Sequence, residues 1–468
     1  VAGGGVTTYD DTLSFDGDWT YYGAVLPDDE IRLVVEIDVT NEYFTLVEDE
    51  EFTGAAYNTA FEYEDPDGPV GVGTPINYAG EQLSWTDITA LVQDVTINRG
   101  KPSTTFSGFE AGSCTVNLID ENADFIPSNP AGAYYPNIRP MRPIRISAVF
   151  SGTSTRLFRG YVDSWGVQFD PILLRSFVSI QATDGFKILS TRNTTVAGVD
   201  GDTPGERVAD ILDDVLWPTG LFREIDASGW SSPLAASDGA STAGLTALQD
   251  VEFAEAGALY LTGKGSLRFL NRKNTYRSGY DWVFDGGGTI GAITYEDTKL
   301  DISDDVLANV LTLTNVNDEV ATVENGFSKD LYEFREFTRN DVLTETLSAT
   351  ENLAYVYSLR DALPLERIAS INVNGRKSLA NMNLIVSYEL MDKAQVTLAI
   401  PGGYSLAQTV YLTSVSHSIR PGEWNMEFSS FEDFLLPQEW QDLDDTLAWE
   451  DVGATVTWLQ VAEGAERL

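Results

Sequence analysis

The chain has 468 residues, 43% of them hydrophobic, and a net charge of −43 from 72 acidic and 29 basic side chains. That length calls for about three cores of ordinary size. So acidic a balance excludes nucleic-acid backbone or an anionic membrane surface as the natural partner. One cysteine, Cys114, excludes an internal disulfide and any zinc site built on cysteine pairs. Aromatic residues at 11% argue against disorder. No apolar run approaches the roughly 20 residues of a membrane span. The first six residues, Val1 to Val6, carry no charged or apolar leader pattern. Only eight basic residues are lysine. Two readings of the charge coexist: adaptation to molar salt, as in a halophilic host, where screening removes self-repulsion, and a lumen along which DNA slides without sticking.

Residues 1–83 are read as an acidic, β-rich N-terminal segment. Residues 1–70 hold 18 acidic side chains and one basic one, Arg32. Arg32–Val39 and Tyr43–Val47 read as strands, and Asp65–Gly68 as a turn. Residues 84–196 alternate with period two through Cys114, Val116 and Leu118, then Ile144, Ile146 and Ala148, then Val178, Ile180 and Ala182. Gly and Pro punctuate these runs, which suggests a first β-barrel. In 197–300 the period changes. Thr203-Pro204 opens a helix with proline in its first turn, and Val208, Ile211, Leu212, Val215 and Leu216 form one apolar stripe. A second helix is expected from Thr246, capped through Gln249, to Gly257. A hairpin follows around Gly263-Lys264-Gly265, so this is a small α+β domain. Residues 301–436 return to strands at Val310–Thr314, Ile368–Val373, Ala394–Ile400, Val410–Ile419 and Trp424–Phe428. One helix interrupts them, from Ala349 to Ala362, ended by Pro364. This is read as a second barrel. Residues 437–468 form a C-terminal extension with Trp440, Trp449 and Trp458 spaced by nine. That period suits neither a helix face nor one strand, and these tryptophans are candidate docking anchors.

No catalytic constellation emerges. His417 is the only histidine, and no Gly-x-Ser-x-Gly elbow accompanies it. Asp120–Asp124 lacks the glycine and terminal glutamate of an EF-hand and reads as a turn. Gly263–Gly265 and Gly286–Gly288 lack the phosphate-loop pattern. Paired carboxylates occur by chance in so acidic a chain. No cofactor or metal is expected. Phe125–Pro143 is the best candidate assembly surface: Tyr134 and Tyr135 would be costly to leave wet, and Arg139 and Arg142 are rare positive charges that a neighbour's carboxylates could pair. The alternative is that this segment covers its own barrel.

The order of these motifs carries a resemblance. Trp85–Thr89, Asp94–Gly100, Ala111–Asn122, Phe125–Pro130, Arg142–Ile146, Leu157–Val162 and Ile180–Leu189 run in sequence. Glu255–Tyr260, Phe269–Arg272, Asp304–Leu313, Ser328–Tyr332 and Val415–Trp424 follow. Over about residues 84–436 the chain resembles the minor tail, or tail-hub (baseplate hub, tail tip), proteins of long-tailed phages and archaeal tailed viruses. The resemblance implies a mainly β protein, with two tail-tube-like β-barrels joined by a small α+β domain. It implies a structural, non-enzymatic virion component at the tail tip, a homotrimer whose six barrels adapt a sixfold tube to threefold tip parts and close it before genome ejection. Implied partners are the tail-tube or distal-tail protein, the C-terminus of the tape-measure protein, and tail fibres or receptor-binding proteins. The acidic N-terminal segment departs from the family pattern. Two other classes remain open: a secreted acidic carbohydrate-binding protein or glycosidase, and a hexameric distal-tail ring protein.

Overall fold

The computed structural model describes residues 31–39 and 84–432, apart from 102–107, 173, 219, 227–232, 276–278, 287–288, 290, 303, 305–306, 364–366, 401 and 403. Trp440, Trp449 and Trp458 lie outside the described residues, as do Tyr43–Val47, Asp65–Gly68, Pro364 and two of the three residues of Gly286–Gly288.

One sheet of thirteen strands dominates the chain. Its first part comprises β1 (Arg32–Ile37), β2 (Thr86–Asp87), β3 (Val92–Gly100), β4 (Glu110–Asp120), β5 (Pro143–Phe150), β6 (Thr153–Asp170) and β7 (Arg175–Asp184). These lie in the order β3-β4-β7-β6-β5-β1-β2, and the 3-10 turn Thr89–Leu91 links β2 back to β3. The second part comprises β8 (Trp282–Asp285), β9 (Asp297–Asp301), β10 (Arg367–Asn374), β11 (Lys393–Ile400), β12 (Tyr404–Arg420) and β13 (Glu423–Glu432). Its order is β9-β10-β13-β12-β11-β8, and residues 286–296 link β8 to β9. Each part is a strand circuit whose ends are joined by a short stretch of chain, the expected pair of barrels. Alternation drives both: Val95 and Ile97, and Val116 and Leu118, are buried in the first and Met426 and Phe428 in the second, while the residues between them face outward.

The barrels take strands from outside their expected limits. β1 comes from the acidic N-terminal segment, yet it pairs along its length with β5, Arg32 opposite Val149 through to Ile37 opposite Ile144. Leu33, Val35 and Ile37 enter the core, and their burial is worth about 1.5–3 kcal/mol each. Arg145 fixes the register: its Nε and Nη2 donate to Glu36 Oε2 and Oε1 at 2.7 and 2.8 Å, and its guanidinium lies 4.3 Å over the Trp85 ring. β8 and β9 come from the stretch read as the middle domain.

The middle region holds the expected helix Pro204–Asp214, whose capping box joins Thr203 to Glu206. Its apolar stripe stops at Val215. Leu216 lies past the helix end with left-handed backbone (φ 52°) and is 73% exposed. The next helix runs Gly244–Glu255, two residues ahead of the expected start, so Thr246 lies inside it and makes no cap. Gly244 allows that early start, since its N–H reaches Arg192 O and an added Cβ would sit 2.7 Å from Val215. The hairpin at Gly263–Gly265 joins Ala258–Leu261 to Leu267–Leu270 as expected. The strand Val310–Asn315 is not in the barrel. It forms a separate three-stranded sheet with Val320–Glu324 and Glu336–Val342, against which helix Leu347–Asp361 packs. Helices Gly326–Tyr332 and Leu379–Ser387 were not expected.

The closing role of β1 is testable by thermal unfolding. Val35→Asp puts a charge into the core and should cost about 3 kcal/mol or more, whereas Val34→Asp, on the opposite face, should cost under about 1. Equal effects would mean that β1 does not close the barrel.

Candidate assembly surface

The two barrels are copies of one design, and a register of equivalent residues follows from their pairings. β6 slips by one residue against β7 between Val162 and Ser164, and β12 slips against β13 between Leu412 and Ser414. These bulges match Ser164 to Ser414 and Gln181 to Ser429. Following the pairing outward matches Asn117 to Asn372 and Asp94 to Asp297. The side chains agree. Asn117 Nδ2 donates to Asp94 Oδ1 at 2.8 Å, and Asn372 Nδ2 donates to Asp297 Oδ1 at 2.6 Å.

The barrels meet at a seam where Ser414–Ile419 of β12 pairs antiparallel with Val95–Gly100 of β3. On one face of the seam lie Thr96, Asn98, Ser414, Ser416 and Ser418, all outward-facing. The same small polar character continues over Ser113, Thr115 and Asn117, and over Ser370, Asn372 and Asn374. The result is a broad, cation-poor polar face shared by both barrels. Gly100 (φ 118°) lets the strands come together, because an added Cβ would lie 2.2 Å from Thr413 O.

On the other face the seam is buried and anchored by Arg99. Its Nη1 donates to Leu157 O at 3.0 Å, its Nη2 donates to Leu261 O at 3.3 Å, and it pairs with Glu389. Glu389 also accepts from the N–H groups of Gly263 and Leu390, each at 2.9 Å. β6, the middle-domain hairpin and the segment before β11 therefore converge on one guanidinium. Burial alone would lower the Arg99 pKa; Glu389, Tyr388 and Asp184 more than offset this and hold it above its ordinary value. Asp184 accepts from Gly112 N at 2.7 Å and Phe186 N at 3.0 Å. Burial raises its pKa to about 7 against the pull of those bonds and of Arg99.

His417 lies in the seam opposite Ile97, fully buried. Trp424 Nε1 donates to its Nδ1 at 3.2 Å, and Tyr388 Oη contacts its Nε2. Burial and then Arg99 push its pKa down to about 3, so it is a neutral packing group and not a proton shuttle. Asp120 is the turn the sequence suggested: its carboxylate accepts from the N–H groups of Asn122, Asp124 and Phe125. Cys114 is buried and its thiol is pushed well up by burial. No group of three His, Cys, Asp or Glu residues among the described residues could hold a metal ion.

The Phe125–Pro143 candidates divide. Tyr134 packs on Phe125 with ring centroids 4.8 Å apart, and Tyr135 is 47% exposed. Arg139 offers its carbonyl to Trp165 Nε1 at 2.9 Å, so the segment reaches the outer half of β6. Arg142 faces inward, 2% exposed, and donates from Nε to Asn137 O at 3.1 Å and from Nη2 to Asn137 Oδ1. Its charge is satisfied inside its own barrel. Sequence reasoning missed the two sheet edges themselves. From Ser164 onward β6 pairs only with β7, and β9 pairs only with β10, among the described residues. Trp165 and Val167 on β6 and Leu300 on β9 are half-exposed, while Phe169 and Ile302 are 62% and 67% exposed.

Comparison with solved structures places this architecture. A tail protein from Neisseria meningitidis MC58 aligns over 76% of this chain and 95% of its own, at 13% identity and a TM-score of 0.51. This chain has the fold of a tail protein. The 43 kDa tail protein of prophage MuSo2 from Shewanella oneidensis aligns over 75% and 94% (12% identity, TM-score 0.49). Prophage tail protein gp18 from Listeria monocytogenes EGD-e aligns over 76% and 93% (12% identity, TM-score 0.44). No family model matches the sequence, and no curated protein matches it. The shared fold thus spans nearly the whole of the Neisseria chain.

The seam gives the test of this geometry. Arg99→Ala strands Glu389 and the carbonyls of Leu157 and Leu261, so stability should fall by about 3–5 kcal/mol in denaturant unfolding. Arg99→Lys should recover only part of it, because an ammonium cannot reach three divergent acceptors as a planar fork does. Near-neutral effects would mean that the three parts do not depend on this residue.

Proposed function

We propose that this chain is a structural tail-hub protein that forms a homotrimeric ring at the tip of a viral tail. The observation that carries this reading is the duplicated barrel: each copy presents two equivalent barrels in one continuous sheet, so three copies present six. A closed ring of three then offers a pseudo-sixfold face to a sixfold tube and a threefold face to tip components. The polar, cation-poor sheet face suits a channel wall along which a polyanion moves without adhering. On this reading the neighbours are the tube or distal-tail protein, the tape-measure C-terminus, and fibres or receptor-binding proteins. The chain has no catalytic role. Tyr135, Arg139 and the three C-terminal tryptophans remain candidate contacts with these neighbours. The abundance of carboxylates over lysines supports operation in molar salt.

Light scattering of the full chain in low and molar salt tests this. A trimer near three times 51.2 kDa in molar salt is expected. A hexamer would favour a distal-tail ring instead, and a monomer under both conditions would overturn the hub reading.

A further inference from the structure

Helix Gly326–Tyr332 is turned inside out. Its one buried side chain is Ser328, whose Oγ accepts from Asn309 Nδ2 at 3.2 Å. Phe327 and Leu331, four residues apart on one face, are 67% and 57% exposed, and Phe334 just past the helix end is 56% exposed. Lys329 Nζ lies 5.6 Å from the centroid of the Phe334 ring, so that ring returns against the helix. Lys329, paired with Glu324 at 2.6 Å, and Arg335, paired with Asp304 at 2.5 Å, border the cluster. Single exposed apolar side chains need no cover, whereas a cluster of large ones with a charged rim marks an interaction site.

The last strand, β13, ends close to this cluster. The Arg360 guanidinium lies 5.9 Å from the centroid of the Phe431 ring. Next along, Asp361 O accepts from Ala308 N at 2.9 Å. Asn309 then holds the helix: its Nδ2 donates to Ser328 Oγ and, at 2.7 Å, to Glu333 O, and its carbonyl accepts from Asn325 N at 2.9 Å. A short series of direct contacts thus leads from Phe431 to the exposed cluster. Beyond Glu432 the sequence reads Asp433-Phe-Leu-Leu-Pro-Gln-Glu-Trp440. Extended at about 3.3 Å per residue, the chain from Glu432 to Trp440 reaches roughly 26 Å. It carries the apolar groups that the cluster lacks, Phe434, Leu435, Leu436 and Trp440, and it carries Asp433 and Glu439 for the cationic rim.

We propose that residues 433–440 dock on helix Gly326–Tyr332 of the same chain, with Trp440 covering Phe327, Leu331 and Phe334. This inference goes beyond the tail-hub reading and does not depend on the ring. The occupant is the chain's own segment because it is tethered beside the cluster. A tether this short holds it at an effective concentration on the order of millimolar, which a partner in solution seldom reaches. Trp440 then contacts its own chain, and Trp449 and Trp458 are the tryptophans available to the neighbours proposed above. The contact is salt-dependent. Asp330 and Glu333 face the incoming carboxylates alongside Lys329 and Arg335, so molar salt screens the repulsion while the apolar contact persists.

Photo-cross-linking in the full chain tests it. The photoreactive residue p-benzoylphenylalanine, placed at exposed position 331, is irradiated in molar salt and the joined peptides are read by mass spectrometry. The expected product links 326–334 to 433–440 and keeps the mass of one chain, 51.2 kDa, on a denaturing gel. Trp440→Ser should cut that yield about tenfold or more, as removal of a buried aromatic anchor does. Trp449→Ser should leave it unchanged. Each variant should melt within a few degrees of the parent, which separates lost docking from lost fold, and Phe327→Ser gives a second way to remove the contact from the helix side. A product of twice the mass would mean that a second copy covers the cluster and would overturn the proposal. So would cross-links that miss 433–440, or a yield that Trp440→Ser does not change.

Discussion

A buried guanidinium demands acceptors, and Arg99 finds them in the first barrel, in the middle-domain hairpin and in the segment that leads into β11. It sits on β3 at the seam, takes carbonyls from β6 and from the middle-domain hairpin, and pairs with Glu389 ahead of β11. Gly263 is required at that point because an added Cβ would lie 2.3 Å from Arg156 O. The relative placement of the barrels, and so the continuity of the polar face, depends on the strand pairing of the seam and on this site. Removing one member of a buried ion pair leaves the other uncompensated, so the loss of either side chain is strongly destabilising.

Much of the architecture was legible in the sequence. Period-two runs such as Val116–Leu118 and Val178–Ala182 announced barrel strands, Thr203-Pro204 announced a helix start, and Gly263–Gly265 announced a turn. What escaped has physical causes. The strand that opens at Arg32 was legible, but its place in the first barrel was not, because that is set by pairing with β5 and by Arg145 and Trp85, far along the chain. Helix Leu379–Ser387 buries Asn381 among Leu384, Ile385 and Val386 against β5 and β6 and exposes Leu379, and so lacks a clear amphipathic signature. The seam site was invisible because Arg99 and Glu389 stand 290 residues apart. The free edges were invisible for a related reason: a strand reveals its own alternation but not which side lacks a neighbour. Tyr134 packs on Phe125 and Arg139 lies against the outer half of β6, whereas Arg142 is drawn inward by Asn137.

Charge and symmetry act together in this account. A chain at −43 repels its own copies in dilute salt, and most of that repulsion acts over distances that molar salt screens out. Apolar strand edges, by contrast, hold or strengthen as salt rises. In the proposed ring, assembly is favoured where the protein's composition is best adapted, and the sheet face toward the axis carries mainly Ser, Thr and Asn, with Lys299 and Arg420 among them. In the proposed ring the duplication supplies the symmetry, with two equivalent barrels in each of three copies.

The most direct measurement is the symmetry of the assembled particle by electron cryo-microscopy in molar salt. The account predicts a closed ring of three chains showing six barrel lobes, with true threefold and only approximate sixfold symmetry, around a central channel lined by the serine- and asparagine-rich face. Six chains in a strictly sixfold ring, or paired barrels that stay separate with that face turned outward, would contradict it.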